Sequence, residues 1–203
     1  MRKFKFFLNF EKEENWLNQM AAEGFEFVGK TMAYRFRLAK PENANIKIDY
    51  RTFKNSSDFL DYCTLFEDCG WKHIAGTKSS GSQYFKKVRE NADEDIFSDA
   101  DSKAGRYKRL SQMYIGIAFC YLPIFAALIT TGAIDAASLL DPKRLYLTPG
   151  LWGKAGTDFW GSFLFETPFV IFRAATWSLF PIMIILFFIF SFKADQQYKK
   201  IIK

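Results

Sequence analysis

The chain has 203 residues, of which 49% are hydrophobic and 25% charged, with a formal net charge of +6. Those averages hide a division, because charge concentrates in residues 1–110 while 111–192 are mostly apolar, which excludes a uniformly soluble composition. Three cysteines exclude a disulfide framework: Cys63 and Cys69 stand six positions apart on one predicted helix, a rise of about 9 Å, too far for a bond, and Cys120 lies in an apolar run. A reducing compartment suits this usage.

The N-terminus is expected to be a strand rather than a signal peptide, since the apolar stretch of "RKFKFFLNF" alternates and soon meets acidic residues. A helix follows in "EENWLNQMAAEG", with Trp16, Leu17, Met20 and Ala21 on one face and Gly24 as its stop. "FEFVGKTM" and "AYRFRLAK" alternate as a hairpin would. The pattern then recurs: "NIKIDYRTF" as a strand, "SSDFLDYCTLFEDCG" as a helix, and "WKHIAGT" with "SQYFKKV" as a second hairpin around "KSSGS". In that second helix Ser56 or Ser57 is the expected N-cap, Phe59, Leu60, Cys63 and Phe66 form the expected apolar stripe, and Gly70 is the stop. Residues 1–90 thus read as a cytoplasmic α+β domain, a duplicated βαββ sandwich with halves of about 1–44 and 45–90. The two halves are expected to share one antiparallel sheet with both helices on one face.

The aromatic-basic strands invite an interface reading at Tyr34, Arg35, Arg37, Trp71, Tyr84 and Lys86. Alternation in "YRFRL" puts aromatics and arginines on opposite faces, which favours rings inward and cations in water over an RNA-stacking surface. Nucleic acid is therefore not the expected partner.

Residues 91–110 form a charged juxtamembrane linker or helix, in which Ser98 and Asp101 resemble a capping box that starts a helix near Asp99. Two apolar runs follow at 111–131, with Pro123, and at 173–192, with Pro181, each near the ~20 residues that cross a ~30 Å hydrocarbon core. Residues 132–172 read as an extracytoplasmic loop rich in Trp and Phe, and 193–203 as a basic cytoplasmic tail. Lys103, Arg106, Lys108 and Arg109 precede the first run, and Lys193, Lys199 and Lys200 follow the second. These positives are expected to set topology, with both termini cytoplasmic and a multi-pass bacterial membrane location. Arg173 is expected to snorkel, with Glu166 as its candidate partner.

No catalytic signature is readable. His73 is the lone histidine, no Cys or His group has zinc spacing, and no nucleophile elbow, P-loop or dinucleotide fingerprint occurs. No cofactor or metal is expected, and the chain is not expected to be an enzyme.

The segments "EENWLNQMAAEGFEFV", "CTLFEDCGWKHI", "QYFKK" and "DIFSDADSKAGRYKR" resemble a bacterial family of domains of unknown function commonly encoded beside PadR-type repressors in Gram-positive bacteria. The resemblance covers about residues 5–110, with Gly24-Phe25 where "GW" is common. It implies a cytoplasmic α+β domain followed by membrane spans and a regulatory setting, and it carries no catalytic residues. The expected function is a membrane-anchored, non-enzymatic regulatory or sensory module whose partners are the lipid bilayer and a protein. An unpaired sheet edge offers a route to a homodimer. The alternative is an accessory or immunity-type protein acting through its membrane hairpin on a transporter, toxin or drug.

Overall fold

The computed structural model describes residues 1–203 and every side chain except that of Leu139. It is a mixed α/β structure with two three-stranded sheets and four α-helices, and it divides into two compact units, Met1–Met113 with Phe190–Lys203, and Tyr114–Ile189.

In the first unit the order is β1 (Arg2–Lys3), α1 (Phe10–Ala22), β2 (Phe25–Lys30), β3 (Tyr34–Leu38), β4 (Ile46–Tyr50), α2 (Ser56–Asp68), β5 (Trp71–Ala75) and β6 (Ser82–Lys87). α3 (Ala100–Thr130) leaves this unit, and the last turns of α4 (Gly156–Ile202) return to it. The strands form two antiparallel sheets, β1-β3-β2 and β4-β6-β5, not the single shared sheet expected. A register shift between Phe27 and Gly29 in β2, and another between His73 and Ala75 in β5, supplies a reason. Such bulges twist an edge strand and interrupt its ladder. The sheets meet through side chains instead, with the Phe27 and Tyr84 rings 4.9 Å apart.

Both helices end as anticipated. Gly24 and Gly70 each adopt φ +86°, the left-handed conformation that closes a helix C-terminus. On α1, Leu17, Met20 and Ala21 are buried as expected, and Trp16 stacks edge-on against Tyr34 at 4.8 Å. On α2 the expected stripe is corrected: Leu60 is 62% exposed, and Tyr62 takes the buried place beside Trp71 and Phe85, with Cys63 and Phe66 packed against them. A tyrosine wins there because its ring fills the core while its hydroxyl reaches Asp49 at 2.8 Å. The N-cap of α2 is Asn55, not Ser56 or Ser57.

The N-terminal strand is much shorter than expected. Only Arg2 and Lys3 pair with β3, because Asn9 caps α1 by accepting the Lys12 N–H at 2.9 Å and pulls the chain off the sheet. α3 begins at Ala100, capped by Asp99 rather than Ser98; the Asp99 carboxylate accepts the Ser102 N–H at 2.6 Å.

The second unit holds most of the apolar helical length. The most apolar windows of α3 and α4 are only 6% and 11% buried, the opposite of a soluble core helix, and both helices are long and apolar enough to cross a membrane. Rings of Tyr121 and Phe125 on α3 meet Phe180 on α4 at 6.0 and 6.4 Å. Residues 156–172, read as loop, are helical, since α4 starts at Gly156. Arg173 donates to the Leu145 carbonyl rather than reaching outward and lies 4.0 Å from Glu166. Glu166 accepts from the backbone of Leu147 and Thr148.

Two outcomes follow for the first unit. A Cβ at Gly70 would sit 2.8 Å from the Ala92 Cβ in a left-handed backbone, so Gly70→Ala lowers unfolding stability by at least about 1–2 kcal/mol in a denaturant titration. His73 is half-buried, facing the rings of Phe59 and Phe85, with Nε2 3.0 Å from Gln83 Oε1; burial holds its imidazole below the usual 6.5, against the opposing pull of Gln83 and Glu67. The unfolded chain therefore takes up a proton first, and stability falls as pH drops below 6.5. His73→Gln flattens that part of the stability–pH curve, as thermal melts across the range will read out.

Candidate functional site

The polar centre of the first unit grows from two adjacent carboxylates on α1. Glu13 and Glu14 are each 97% out of solvent at 3% exposure, and successive residues of a helix point about 100° apart, so the two face different neighbours. Glu13 Oε1 accepts from the Tyr34 hydroxyl on β3 and the Tyr84 hydroxyl on β6, both at 2.7 Å, and from Lys30 Nζ on β2 at 3.0 Å. One carboxylate thereby joins both sheets. Burial, and then the facing Glu13 charge, push the Tyr34 and Tyr84 phenols far above their ordinary range, so both stay proton donors.

Glu14 faces the other way. Its Oε1 accepts the Ile48 N–H of β4 at 3.1 Å and Arg106 Nη1 of α3 at 2.5 Å, and Lys47 Nζ stands 3.8 Å from Oε2. Arg106 is fully buried and also donates to the Ile48 carbonyl at 2.7 Å. Its Nε and Nη2 meet no acceptor; the rings of Phe10, Phe97 and Tyr107 surround the guanidinium at 5.1–5.3 Å instead. One turn on, Arg109 donates to the Tyr50 carbonyl and to Asp49, whose other oxygen accepts from Tyr62. Tyr107 completes the contact by accepting the Phe10 N–H at 3.0 Å, which satisfies an otherwise free donor at the start of α1. Ala104, Arg106, Tyr107 and Leu110 make up the buried stripe of the first turns of α3.

α4 is held to the same unit. Ser111 and Ser191 hydroxyls lie 2.9 Å apart, Lys108 sits over the Tyr198 ring at 5.6 Å, and Asn9 donates to Gln197 at 3.3 Å. The ends of both apolar helices therefore register on one domain. A cleft of about 200 Å³ opens beside this anchor, lined by Asp49, Arg51, Tyr62, Phe97 and Arg109.

The residues read from the sequence fall into two groups. Of the charges expected to set topology, Arg106 and Arg109 are built into the domain, Lys103 pairs with Asp95 at 2.9 Å, and Lys199 pairs with Asp195 at 2.7 Å. Lys193 and Lys200 are exposed. Of the expected interface, Tyr34, Trp71 and Tyr84 are core residues at 0–2% exposure and present no surface. Arg35 is exposed, Arg37 pairs with Glu26 and Lys86 with Glu42. The anchor formed by Glu13, Glu14 and Arg106 was not anticipated. Its one sequence signal is a pair of acids at the start of an apolar helix face, matched by arginines far along the chain.

Breaking the anchor from one side strands a buried charge. Arg106→Met should cost about 3–5 kcal/mol of stability for the full chain in detergent, and adding Glu14→Gln should recover much of it. Arg106→Lys keeps the charge but loses the planar stack and falls between them. Wild-type stability in Arg106→Met would mean that α3 is held by other contacts.

No curated protein and no solved structure matches the chain. The family described as protein of unknown function DUF2812 matches residues 9–119, which covers β2 to β6, the anchor and the first two thirds of α3. With more than half of its length matched, the chain belongs to the DUF2812 family.

Proposed function

We propose that the protein is a membrane-anchored regulatory or sensory module, whose cytoplasmic α+β domain registers the position of two membrane helices and presents that state to a protein partner. The observation that carries this reading is the Glu14–Arg106–Ile48 and Asp49–Arg109–Tyr50 anchor, continuous with an unbroken helix of 31 residues. Helical continuity makes α3 a stiff element about 46 Å long at 1.5 Å per residue, so movement along it acts on the β4 backbone directly. The Ser111–Ser191 and Asn9–Gln197 contacts give α4 a grip on the same domain. Two βαββ halves related by duplication, cytoplasmic termini and a setting beside a repressor gene complete the proposed picture. The strand orders β1-β3-β2 and β4-β6-β5 support the duplication.

A second reading, in which the membrane half acts on a transporter, toxin or drug, draws support from the order in residues 142–173, where Glu166 and Arg173 hold the connecting segment. Exchange of the two spans for foreign ones separates the readings. Partner capture survives exchange if the domain is the working end and is lost if the membrane half is.

The coupling is tested by hydrogen exchange on the full chain in nanodiscs of thin and thick lipids. Protection of the Ile48 amide, bonded to Glu14, should change with bilayer thickness, and Arg109→Ala should remove that dependence. Protection indifferent to thickness in the wild type would sink the proposal.

A further inference from the structure

The N-terminal segment has no role in the anchor and an unusual surface. Phe4 and Phe6 are 80% and 66% exposed, and Met32 is 91% exposed. β1 ends at Lys3, which pairs with Tyr34 at the start of β3, so the chain leaving β1 and the Thr31–Ala33 turn stand at the same end of this sheet. The first nine residues, MRKFKFFLN, add Arg2, Lys3 and Lys5 and no acid. Within the first unit this segment runs along α4: Asn9 meets Gln197, and three residues earlier the Phe6 ring lies 5.6 Å from the ring of Phe190. Seven residues of helix rise about 10 Å, so the chain descends α4 from its polar end to the last turn of its apolar run as it is read back from Asn9 to Phe6. Large apolar side chains interleaved with cations, at the level where a span emerges from hydrocarbon, have the chemistry of an interfacial anchor.

We infer that the segment from Met1 to Leu8, together with the Thr31–Ala33 turn, docks onto the anionic leaflet that α3 and α4 enter, with Phe4, Phe6 and Met32 at headgroup depth and Arg2 and Lys5 on lipid phosphates. The inference rests on the membrane reading of the two helices. Its occupant follows from charge complementarity and from continuity with the apolar run through Phe190. Docking this edge would also shield the short outer strand β1 from pairing with other chains.

The test uses the full chain reconstituted in vesicles, with Cys63→Ala and Cys69→Ser and a nitroxide label placed singly at Phe4→Cys, Met32→Cys or Leu65→Cys in a Cys120→Ala background, or at the native Cys120. Depth is read from collision with oxygen against a water-soluble nickel chelate. Cys120 is exposed within the apolar part of α3 and reports the span; Leu65, 60% exposed on α2, reports the aqueous side. Expected in vesicles containing phosphatidylglycerol is an oxygen-rich signal at Cys120, an intermediate one at positions 4 and 32, and a water-like one at 65. Arg2→Glu with Lys5→Glu should shift positions 4 and 32 towards water, as should high salt. Immersion at Cys120 with water-like labels at 4 and 32 overturns the inference and leaves the membrane reading standing. A water-like Cys120 overturns both. Equal immersion of 4 and 32 in purely zwitterionic vesicles overturns the choice of an anionic surface.

Discussion

Two neighbouring carboxylates buried on one short helix organise the N-terminal domain. A charge removed from water needs donors in contact, and Glu13 and Glu14 point in directions that no single element could serve. Glu13 draws Tyr34 and Tyr84 from two separate sheets, and Glu14 draws β4 and α3. The sheets do not share a ladder, so this side-chain junction, with the Phe27–Tyr84 ring contact, is what makes them one body.

The same junction fixes the first turns of α3 to the domain. Arg106 is buried among three rings because its weakly hydrated, planar guanidinium tolerates aromatic faces where an ammonium would not. Arg109 holds the next turn through the Tyr50 carbonyl and Asp49. A hinge at this point would need a solvated, poorly packed stretch, and α3 instead runs helical from Ala100 with a fully buried stripe. That packing is the physical basis on which the proposed function rests. Basic residues beside an apolar run therefore need not act as topology markers alone: Arg106 and Arg109 spend their donors on the domain.

The local pattern was legible where periodicity and glycine speak for themselves. α1, α2 and the strands β2 to β6 stand where the 3.6 and 2.0 periods put them, and Gly24 and Gly70 end their helices in the conformation only glycine adopts cheaply. The alternation in Tyr34-Arg35-Phe36-Arg37 correctly separated core rings from exposed cations. Legibility failed where a residue's role depends on a distant partner. Leu60 follows the helical period yet faces water, because Tyr62 offers both a ring and a donor for Asp49. The strand pattern of residues 2–10 stops after Lys3 because Asn9 finds the α1 N-terminus.

By itself the sequence determined the division into a charged α+β part and an apolar part, the number of helices long and apolar enough to cross a membrane, and most of the secondary structure, since these depend on composition and on spacing within a few turns. Only the tertiary structure decided that Glu13 and Glu14 are buried, that Arg106 and Arg109 belong to the domain, and that the sheet is two sheets. Ionisable residues are placed on the surface by default, and a carboxylate in the core is readable only once the tyrosines and the arginine that donate to it, 21 to 92 positions away, have been brought to within 3 Å.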